Sequence, residues 1–182
     1  MRFEPTAIEG AFFVELDVHE DERGAFARTF CEQVFAQAGI NMRIVQTNVS
    51  RNPTVGTLRG MHYQASPHEE PKLIQCVRGR IFDVAIDLRS HAPSYRRSVC
   101  TELSADDNRL FFIPPGCAHG FLTLERDSDV FYYMGAAFVP GVARGVRWND
   151  PAFEIPWPGP PRLMSERDAA YGDYVLANEV GA

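Results

Sequence analysis

The sequence has no long apolar run, no paired cysteine motif and no excess of positive charge, and each absence excludes a class of protein. No apolar segment approaches the roughly 20 residues that a membrane-spanning helix needs. Residues 1–5 lack the charged and apolar regions of a secretory signal, which predicts a cytoplasmic location. The formal charge of −6 argues against non-specific nucleic-acid binding, although an acidic protein can still contain a local basic pocket.

The four cysteines, Cys31, Cys76, Cys100 and Cys117, are widely spaced and contain no Cys-x-x-Cys pair. This spacing is typical neither of a zinc knuckle nor of a dithiol redox motif. We therefore expect four reduced thiols that pack as small side chains.

A chain of 182 residues predicts a single domain with a sizeable core, residues 1–182. Short β-rich runs recur between turn signals, whereas only residues 31–38, closed by Gly39, are typical of a helix. Gly79 followed by Arg80 predicts a tight hairpin. The predicted strands are residues 11–18, 42–49, 57–64, 72–77, 80–88, 98–103, 110–113, 120–124 and 130–138. Many short strands with one helix favour an all-β sandwich or jelly roll over a parallel α/β sheet.

One segment combines three side chains that suit catalysis beside a ketone. Residues 56–64 (GTLRGMHYQ) contain Arg59 and His62, and Lys72 follows a polar turn. Because alternate side chains of a strand share a face, Arg59 and His62 can do so only across a bend or bulge, which Gly60 permits. A phosphate clamp, a neutral base and a fixed cation suit proton abstraction beside the ketone of a nucleotide-linked substrate.

Two segments fit loosely the two-motif pattern of a cupin barrel: Gly56 with His62 six positions later, and residues 114–119 (PPGCAH). A metal-binding cupin supplies a His-x-His pair from the first motif. Here the second position is Gln64, whose neutral amide is a poor ligand for a transition metal. A metal-dependent dioxygenase or isomerase is therefore disfavoured. Without a metal, His62 is available as a base. A lone histidine is more often a core residue, but Arg59, Lys72 and His119 in the flanking predicted strands favour a functional role for His62.

Nine segments, which include the motifs described above, follow one another along residues 3–168. They are residues 21–24, 46–48, 58–64, 72–73, 77–79, 82–89, 113–121, 147–151 and 165–168. With these segments in this order, the chain resembles the dTDP-4-dehydrorhamnose 3,5-epimerase family, metal-free cupins of nucleotide-sugar metabolism. Each match alone is weak, but so many in order form a specific signal. The resemblance implies a cupin jelly-roll barrel with a few short peripheral helices.

The resemblance implies a catalytic set of His62, Asp168, Tyr132 and Lys72. His62 corresponds to the family's base, and Asp168 to the carboxylate that orients the imidazole and stabilises the imidazolium. Because Asp168 is far away in sequence, residues 147–182 are expected to form an irregular strap that returns to the barrel mouth. Tyr132 corresponds to the general acid, and Lys72 to the cation that stabilises the enolate oxygen.

Two adjacent tyrosines, Tyr132 and Tyr133, are rival candidates for the acid on the residues alone. Neighbouring side chains of a strand point to opposite faces, so at most one of them can face the barrel interior. The alignment of the flanking Asp129 and Pro140 with the family selects Tyr132.

The resemblance also implies a substrate-binding set and a reaction without a metal or any other cofactor. The implied substrate-binding residues are Arg23, Phe26, Arg28, Gln46, Asn48, Arg59, His119, Phe138 and Arg167. Arginines suit bidentate contacts with a diphosphate. The implied reaction is epimerisation of a 4-keto-6-deoxyhexose, linked to a nucleoside diphosphate, at C3, C5 or both. The family's active unit is a dimer with exchanged strands, so a homodimer is expected.

The departures from the family fall where it holds the nucleoside. Arg28 and Ala143 stand in place of glutamates, Phe138 in place of a tyrosine that would stack on the base, and Arg167 in place of a lysine. Phe138 keeps the aromatic face but loses the hydroxyl. Either the preferred nucleotide or sugar differs, or stacking and diphosphate contacts dominate and tolerate the changes. The sequence also allows a single-carbon epimerase or a catalytically silent sugar-nucleotide binding protein.

Overall fold

The computed structural model describes residues 1–174, which form thirteen strands and two short helices. The strands are β1 (Arg2–Pro5), β2 (Phe12–Glu15), β3 (Val18–Asp21), β4 (Gly24–Ala27), β5 (Gln46–Asn52), β6 (Leu58–Gln64), β7 (Lys72–Arg78), β8 (Arg80–Asp87), β9 (Ser98–Ser104), β10 (Arg109–Ile113), β11 (Cys117–Thr123), β12 (Ser128–Met134) and β13 (Ala143–Gly145). The helices are α1 (Glu32–Gln37) and α2 (Glu166–Ala169). The expected all-β class is confirmed.

The strands form two antiparallel sheets and a separate ribbon. One sheet has six strands in the order β1-β2-β10-β7-β12-β5, and the other has five in the order β13-β6-β11-β8-β9. Within residues 1–174, strands β3 and β4 pair only with each other. Except for β1–β2 and β8–β9, neighbours in each sheet are not consecutive in the chain, as in a jelly roll, so both sheets require long-range pairing.

The apolar core lies between the sheets because alternate residues of each strand point inward. Its largest cluster contains fully buried side chains from both sheets, such as Ile74 and Phe111 from one and Ile81 and Phe121 from the other. A second cluster, centred on Phe35 of α1, covers the outer face of the six-stranded sheet. The helix therefore packs outside the sandwich.

The structure corrects one predicted turn and several strand bounds. The hairpin predicted at Gly79 is wrong, because β7 and β8 belong to different sheets. Gly79 has a φ of +70°, and a Cβ there would lie 2.6 Å from the Ser128 hydroxyl, so the chain crosses between sheets at a crowded corner. The strand predicted at 11–18 ends at Glu15, and the one predicted at 42–49 is shifted toward the C-terminus.

Residues 147–165 contain no strand or helix and lie against the five-stranded sheet. Phe153 is buried there, and Trp157 packs on Phe82 and donates a hydrogen bond to the Trp148 carbonyl. After this segment the chain forms α2, which contacts β6. Residues 175–182, the end of the predicted strap, lie outside the described part of the chain.

All four cysteines lie within the described residues, and none of them forms a disulfide. The longer helix in this part of the chain has six residues, and neither helix could span a membrane.

Candidate active site

A cavity of about 330 Å³ opens between the two sheets and brings together most of the predicted site residues. The predicted residues that line it are Asn48, Arg59, His62, Lys72, His119, Tyr132, Phe138 and Arg167. With Arg144, which was not predicted from the sequence, the described residues of the wall include three arginines and one lysine. This local positive charge in a chain of net charge −6 suits a diphosphate.

One wall of the cavity follows from the strand register of the six-stranded sheet. Tyr132 lies opposite Asn48 on β5 and opposite Ile74 on β7, and Lys72 lies two residues before Ile74. Since side chains repeat every two residues, Asn48, Tyr132 and Lys72 all point to the same, inner face.

A bulge in β6 forms the opposite wall. His62 lies opposite His119, but Arg59, three residues earlier, lies opposite Phe121, which is only two residues away on β11. The extra residue on β6 turns Arg59 to the same face as His62, as the sequence predicts. Gly60 has a φ of +138°, and a Cβ there would lie 2.5 Å from the Cα of Gly120, so only glycine fits.

His62 and Asp168 form a hydrogen-bonded pair at the edge of the cavity. His62 Nε2 lies 2.7 Å from Asp168 Oδ1, and Asp168 Oδ2 accepts a hydrogen bond from the Gly60 amide at 3.2 Å. The His62 side chain is 42% exposed, while that of Asp168 is 6% exposed. When the neutral imidazole donates to this carboxylate, its proton is on Nε2. The other ring nitrogen, Nδ1, then carries the free lone pair that can accept a proton. The pair therefore presents an accessible base backed by a buried carboxylate.

Helix α2 holds this carboxylate in place. Ser165 is the N-cap residue, and its hydroxyl accepts a hydrogen bond from the Asp168 amide. Burial raises the pKa of Asp168, but the hydrogen bond and charge of His62, with donors from Gly60 and Ser165, together lower this pKa below its ordinary value. The carboxyl group therefore remains ionised at neutral pH and can stabilise a protonated His62.

Tyr132 and Tyr133 face opposite sides of the six-stranded sheet, as expected. Tyr132 lines the cavity, whereas Tyr133 packs against the cluster centred on Phe35, on the outer face of the sheet, and donates a hydrogen bond to Thr29 Oγ1. Burial and the charge of Asp83 raise the pKa of Tyr132 well above its ordinary value, and Arg59 opposes them. The phenol thus keeps its proton at neutral pH and can donate it.

A second histidine–carboxylate pair lies behind Tyr132. His119 Nε2 is 2.7 Å from Asp83 Oδ1, both side chains are almost fully buried, and the His119 ring meets the Tyr132 ring edge-on. Burial raises the pKa of Asp83 despite the opposing effect of His119. The pair positions His119 in the cavity wall, where it was predicted to bind the substrate.

Lys72 forms an ion pair with a residue that was not predicted from the sequence. Its Nζ lies 2.8 Å from Oε1 of Glu70, and both side chains are buried and line the cavity.

Gln64 is also buried in the cavity wall, where its side-chain amide forms hydrogen bonds with the backbone of two loops. It donates to the carbonyls of His68 and Ala137 and accepts from the Val139 amide, so it ties two loops to β6.

Three of the four positions that depart from the family pattern lie in the cavity wall: Phe138, Ala143 and Arg167. Phe138 is 55% exposed and Ala143 lies beside Arg144, both within the lining. Gln46 connects this part to β5, because it accepts a hydrogen bond from the Phe138 amide and donates one to Asn48. A small side chain and an exposed ring therefore stand where the resemblance expects contacts with the base.

Four of the nine predicted substrate-binding residues do not line the cavity: Gln46, which is hydrogen-bonded to Phe138 and Asn48 in its wall, and Arg23, Phe26 and Arg28, which lie away from it. Arg23 and Phe26 lie on the β3–β4 ribbon, where Arg23 pairs with Asp21 and Phe26 is 72% exposed. Arg28 follows the ribbon and lines a separate surface depression with Phe26.

Asp83 and Glu70 belong to the site but were not predicted from the sequence. Asp83 gives a weak signal, since an acidic residue interrupts the apolar run of β8. Such a residue is costly to bury without a partner. The sequence signal for Glu70 is weaker still, because the neighbouring Glu69 has the same side chain and only burial distinguishes the two residues.

Comparison with known proteins finds a family match over most of the chain. Residues 5–174 match the family model described as dTDP-4-dehydrorhamnose 3,5-epimerase. The chain is 42% identical over 159 residues to the dTDP-4-dehydrorhamnose 3,5-epimerase of Methanothermobacter thermautotrophicus, covering 86% of this chain and 84% of that one.

Two solved structures illustrate the structural similarity. The dTDP-4-dehydrorhamnose 3,5-epimerase of Bacillus anthracis, with TDP and PPi bound, has a TM-score of 0.92 at 34% identity and covers 95% of this chain and 99% of its own. ChmJ, a 3′-monoepimerase from Streptomyces bikiniensis in complex with dTDP-quinovose, has a TM-score of 0.88 at 32% identity, with 97% and 90% coverage.

Proposed function

The chain belongs to the dTDP-4-dehydrorhamnose 3,5-epimerase family and is an epimerase, and we propose how its own residues perform the reaction. Its substrate is a 4-keto-6-deoxyhexose linked to a nucleoside diphosphate. The ketone acidifies the hydrogens on C3 and C5, so a positioned base can remove either one. The observation that carries the assignment is the 2.7 Å His62–Asp168 pair in one site with Lys72 and Tyr132.

In this proposal, each proton transfer is assigned to a side chain. His62 removes the hydrogen beside the ketone and becomes an imidazolium, which ionised Asp168 stabilises. The ammonium of Lys72 donates a hydrogen bond to the developing enolate oxygen. Tyr132, whose raised pKa keeps it protonated, returns a proton to carbon from the opposite face. His62 then passes its proton to solvent, while solvent reprotonates Tyr132.

The arginines and the altered nucleoside end are assigned to substrate binding. Arg59 and Arg167 contact the diphosphate, and Arg59 is braced by Asn52, whose Oδ1 accepts a 2.8 Å hydrogen bond from its Nε. Phe138 supplies an aromatic face for the base. Similar folds occur in relatives described as 3,5-epimerases and as a 3′-monoepimerase, so the backbone alone does not determine the number of inverted carbons.

Deuterium exchange tests this function directly. The protein is incubated in heavy water with 4-keto-6-deoxyglucose linked to dTDP, CDP, GDP or UDP, and NMR follows deuterium entry at C3 and C5. We expect incorporation at one or both carbons with at least one nucleotide. Absence of exchange at both carbons with all four substrates would leave only a binding function.

A homodimer accounts for the predicted residues that lie outside the cavity. The β3–β4 ribbon carries Arg23 and the 72% exposed Phe26 away from the chain's own site. Among the described strands, β5 is an edge strand of the six-stranded sheet. Val49 on this strand and Val45 just before it are each about half exposed. Exposed apolar side chains beside an unpaired strand edge favour association. The ribbon of one protomer then supplies Arg23 to the cavity of its partner.

Subunit mixing tests the shared site. Arg23→Ala should lower kcat/KM about 10- to 100-fold by removing a charged hydrogen-bond donor, and His62→Ala should be nearly inactive. After dissociation and reassociation of equal amounts, mixed dimers contain one complete site. Activity should recover to about a quarter of the wild-type value, since half of the dimers are mixed.

Each variant treated alone by the same protocol is the control for the mixing experiment. Light scattering measures the mass of the unmixed protein in parallel. A monomer, or a dimer whose mixture recovers no activity, would overturn the shared site.

A further inference from the structure

The Glu70–Lys72 pair is an unusual feature of the cavity wall, because both charged side chains are at least nine-tenths buried. Oε1 of Glu70 lies 2.8 Å from Nζ of Lys72, and only Pro71 separates the two residues. Although the two charges are close, Nζ makes no well-oriented hydrogen bond within residues 1–174. Ammonium donors therefore remain for a ligand in the cavity.

The pair presents a donor and an acceptor side by side. An α-hydroxy ketone has the opposite pattern, since its ketone oxygen accepts and the neighbouring hydroxyl donates. Its two oxygens lie about 2.8 Å apart, close enough for a hydrogen bond between them. The Glu70–Lys72 separation matches that distance. Such a ligand can therefore make two parallel charge-assisted hydrogen bonds with the pair.

We propose that Glu70 accepts a hydrogen bond from the sugar hydroxyl on C3 while Lys72 binds the C4 ketone. This inference rests on the proposed function and adds a specificity-determining residue to it. C3 carries a hydroxyl, whereas C5 carries the methyl group and the ring oxygen. A carboxylate beside Lys72 therefore distinguishes the two sides of the ketone and orients the ring in the cavity before proton abstraction.

The energetics of burial favour this role over a purely structural ion pair. Burying two charges costs several kcal/mol in desolvation, and a buried pair often stabilises a fold no more than apolar residues would. A substrate that supplies hydrogen bonds to both groups compensates part of this cost on binding. An unpaired polar group in the site also discriminates strongly against a substrate that lacks the matching hydroxyl.

The test combines a protein variant with a substrate variant. Wild type, Glu70→Gln and Glu70→Asp are assayed with the nucleotide-linked 4-keto-6-deoxyhexose and with its 3,6-dideoxy analogue, which lacks only the C3 hydroxyl. Glu70→Gln should lower kcat/KM for the hydroxylated substrate about 10- to 100-fold more than it lowers the value for the analogue. Glu70→Asp, which keeps the carboxylate, should recover part of the loss.

Glu69→Gln is the matched control, because it makes the same chemical change one residue away at a side chain outside the cavity lining. It should leave both substrates unaffected. Calorimetry with dTDP, which lacks the 6-deoxyhexose that Glu70 would contact, should give the same Kd for wild type and Glu70→Gln, and this checks that the variant is folded.

The outcomes separate this inference from the proposed function. If wild type exchanges deuterium but Glu70→Gln loses equal activity on both substrates, or none on either, the hydroxyl contact is overturned. If wild type exchanges deuterium with none of the nucleotide-linked sugars, the proposed function itself fails.

Discussion

Replacing His62 with alanine should slow deuterium entry beside the ketone about 10³- to 10⁴-fold, the upper part of the range for a lost general base. Among the described residues that line the cavity, only His62 combines an exposed imidazole with a buried carboxylate partner. His119, the other histidine in the lining, is 4% exposed and bound to Asp83. Exchange measured by NMR reports the abstraction step even where no inverted product accumulates.

Two measurements make the His62 result interpretable. The Kd for dTDP should stay close to the wild-type value, because the assigned diphosphate contacts come from arginines. Asp168→Asn should slow exchange by up to about 10⁴-fold, because its single amide oxygen cannot accept from both His62 and the Gly60 amide, and a neutral amide cannot stabilise the imidazolium. Exchange that persists at the wild-type rate in His62→Ala would assign the base to another residue.

Replacing Tyr132 with phenylalanine should separate exchange from inversion. His62 can still remove the hydrogen and return a deuteron to the same face, so deuterium should enter with retained configuration. Return from the opposite face requires the phenol, and inverted product should form about 10²- to 10³-fold more slowly. NMR of the sugar in heavy water distinguishes the two outcomes by coupling constants and isotope content.

Tyr133→Phe is the matched control for this experiment. It removes a hydroxyl from the same strand, but on the outer face, where the Tyr133 hydroxyl bonds to Thr29 and Gln75. Tyr133→Phe should lower the free energy of unfolding by about 1 kcal/mol per lost hydrogen bond. It should have little effect on the ratio of inversion to exchange. Inversion at the wild-type rate in Tyr132→Phe, or its loss in Tyr133→Phe, would contradict the assignment.

The local parts of the site were predictable from the sequence. The two-residue period of a strand places Tyr132 and Tyr133 on opposite faces, and the structure has them so. The same period requires a bulge between Arg59 and His62, and Gly60 provides it. The hairpin predicted at Gly79 failed because glycine marks a turn without specifying which strands the turn connects.

Contacts between distant residues were accessible only through the resemblance or the structure. Asp168 lies 106 positions from His62 and meets it because residues 147–165 pack along the five-stranded sheet. Without the resemblance, Asp168 is indistinguishable from a solvated residue of the tail. The burial of Glu70, rather than Glu69, likewise depends on how the loop before β7 closes over the cavity.

The sequence by itself determined the β-rich class, the opposite faces of neighbouring strand residues and the residue types available for chemistry, because these depend on neighbours a few positions apart. The tertiary structure alone decided that Glu70 pairs with Lys72, that Asp83 supports His119, and that Arg23 lies away from the cavity of its own chain. The Asp83–His119 contact and the position of Arg23 depend on distances between strands far apart in the chain, and the burial of Glu70 and Lys72, only two residues apart, depends on how their loop packs against both sheets. Such distances are set by the packing of both sheets together, and no local pattern encodes them.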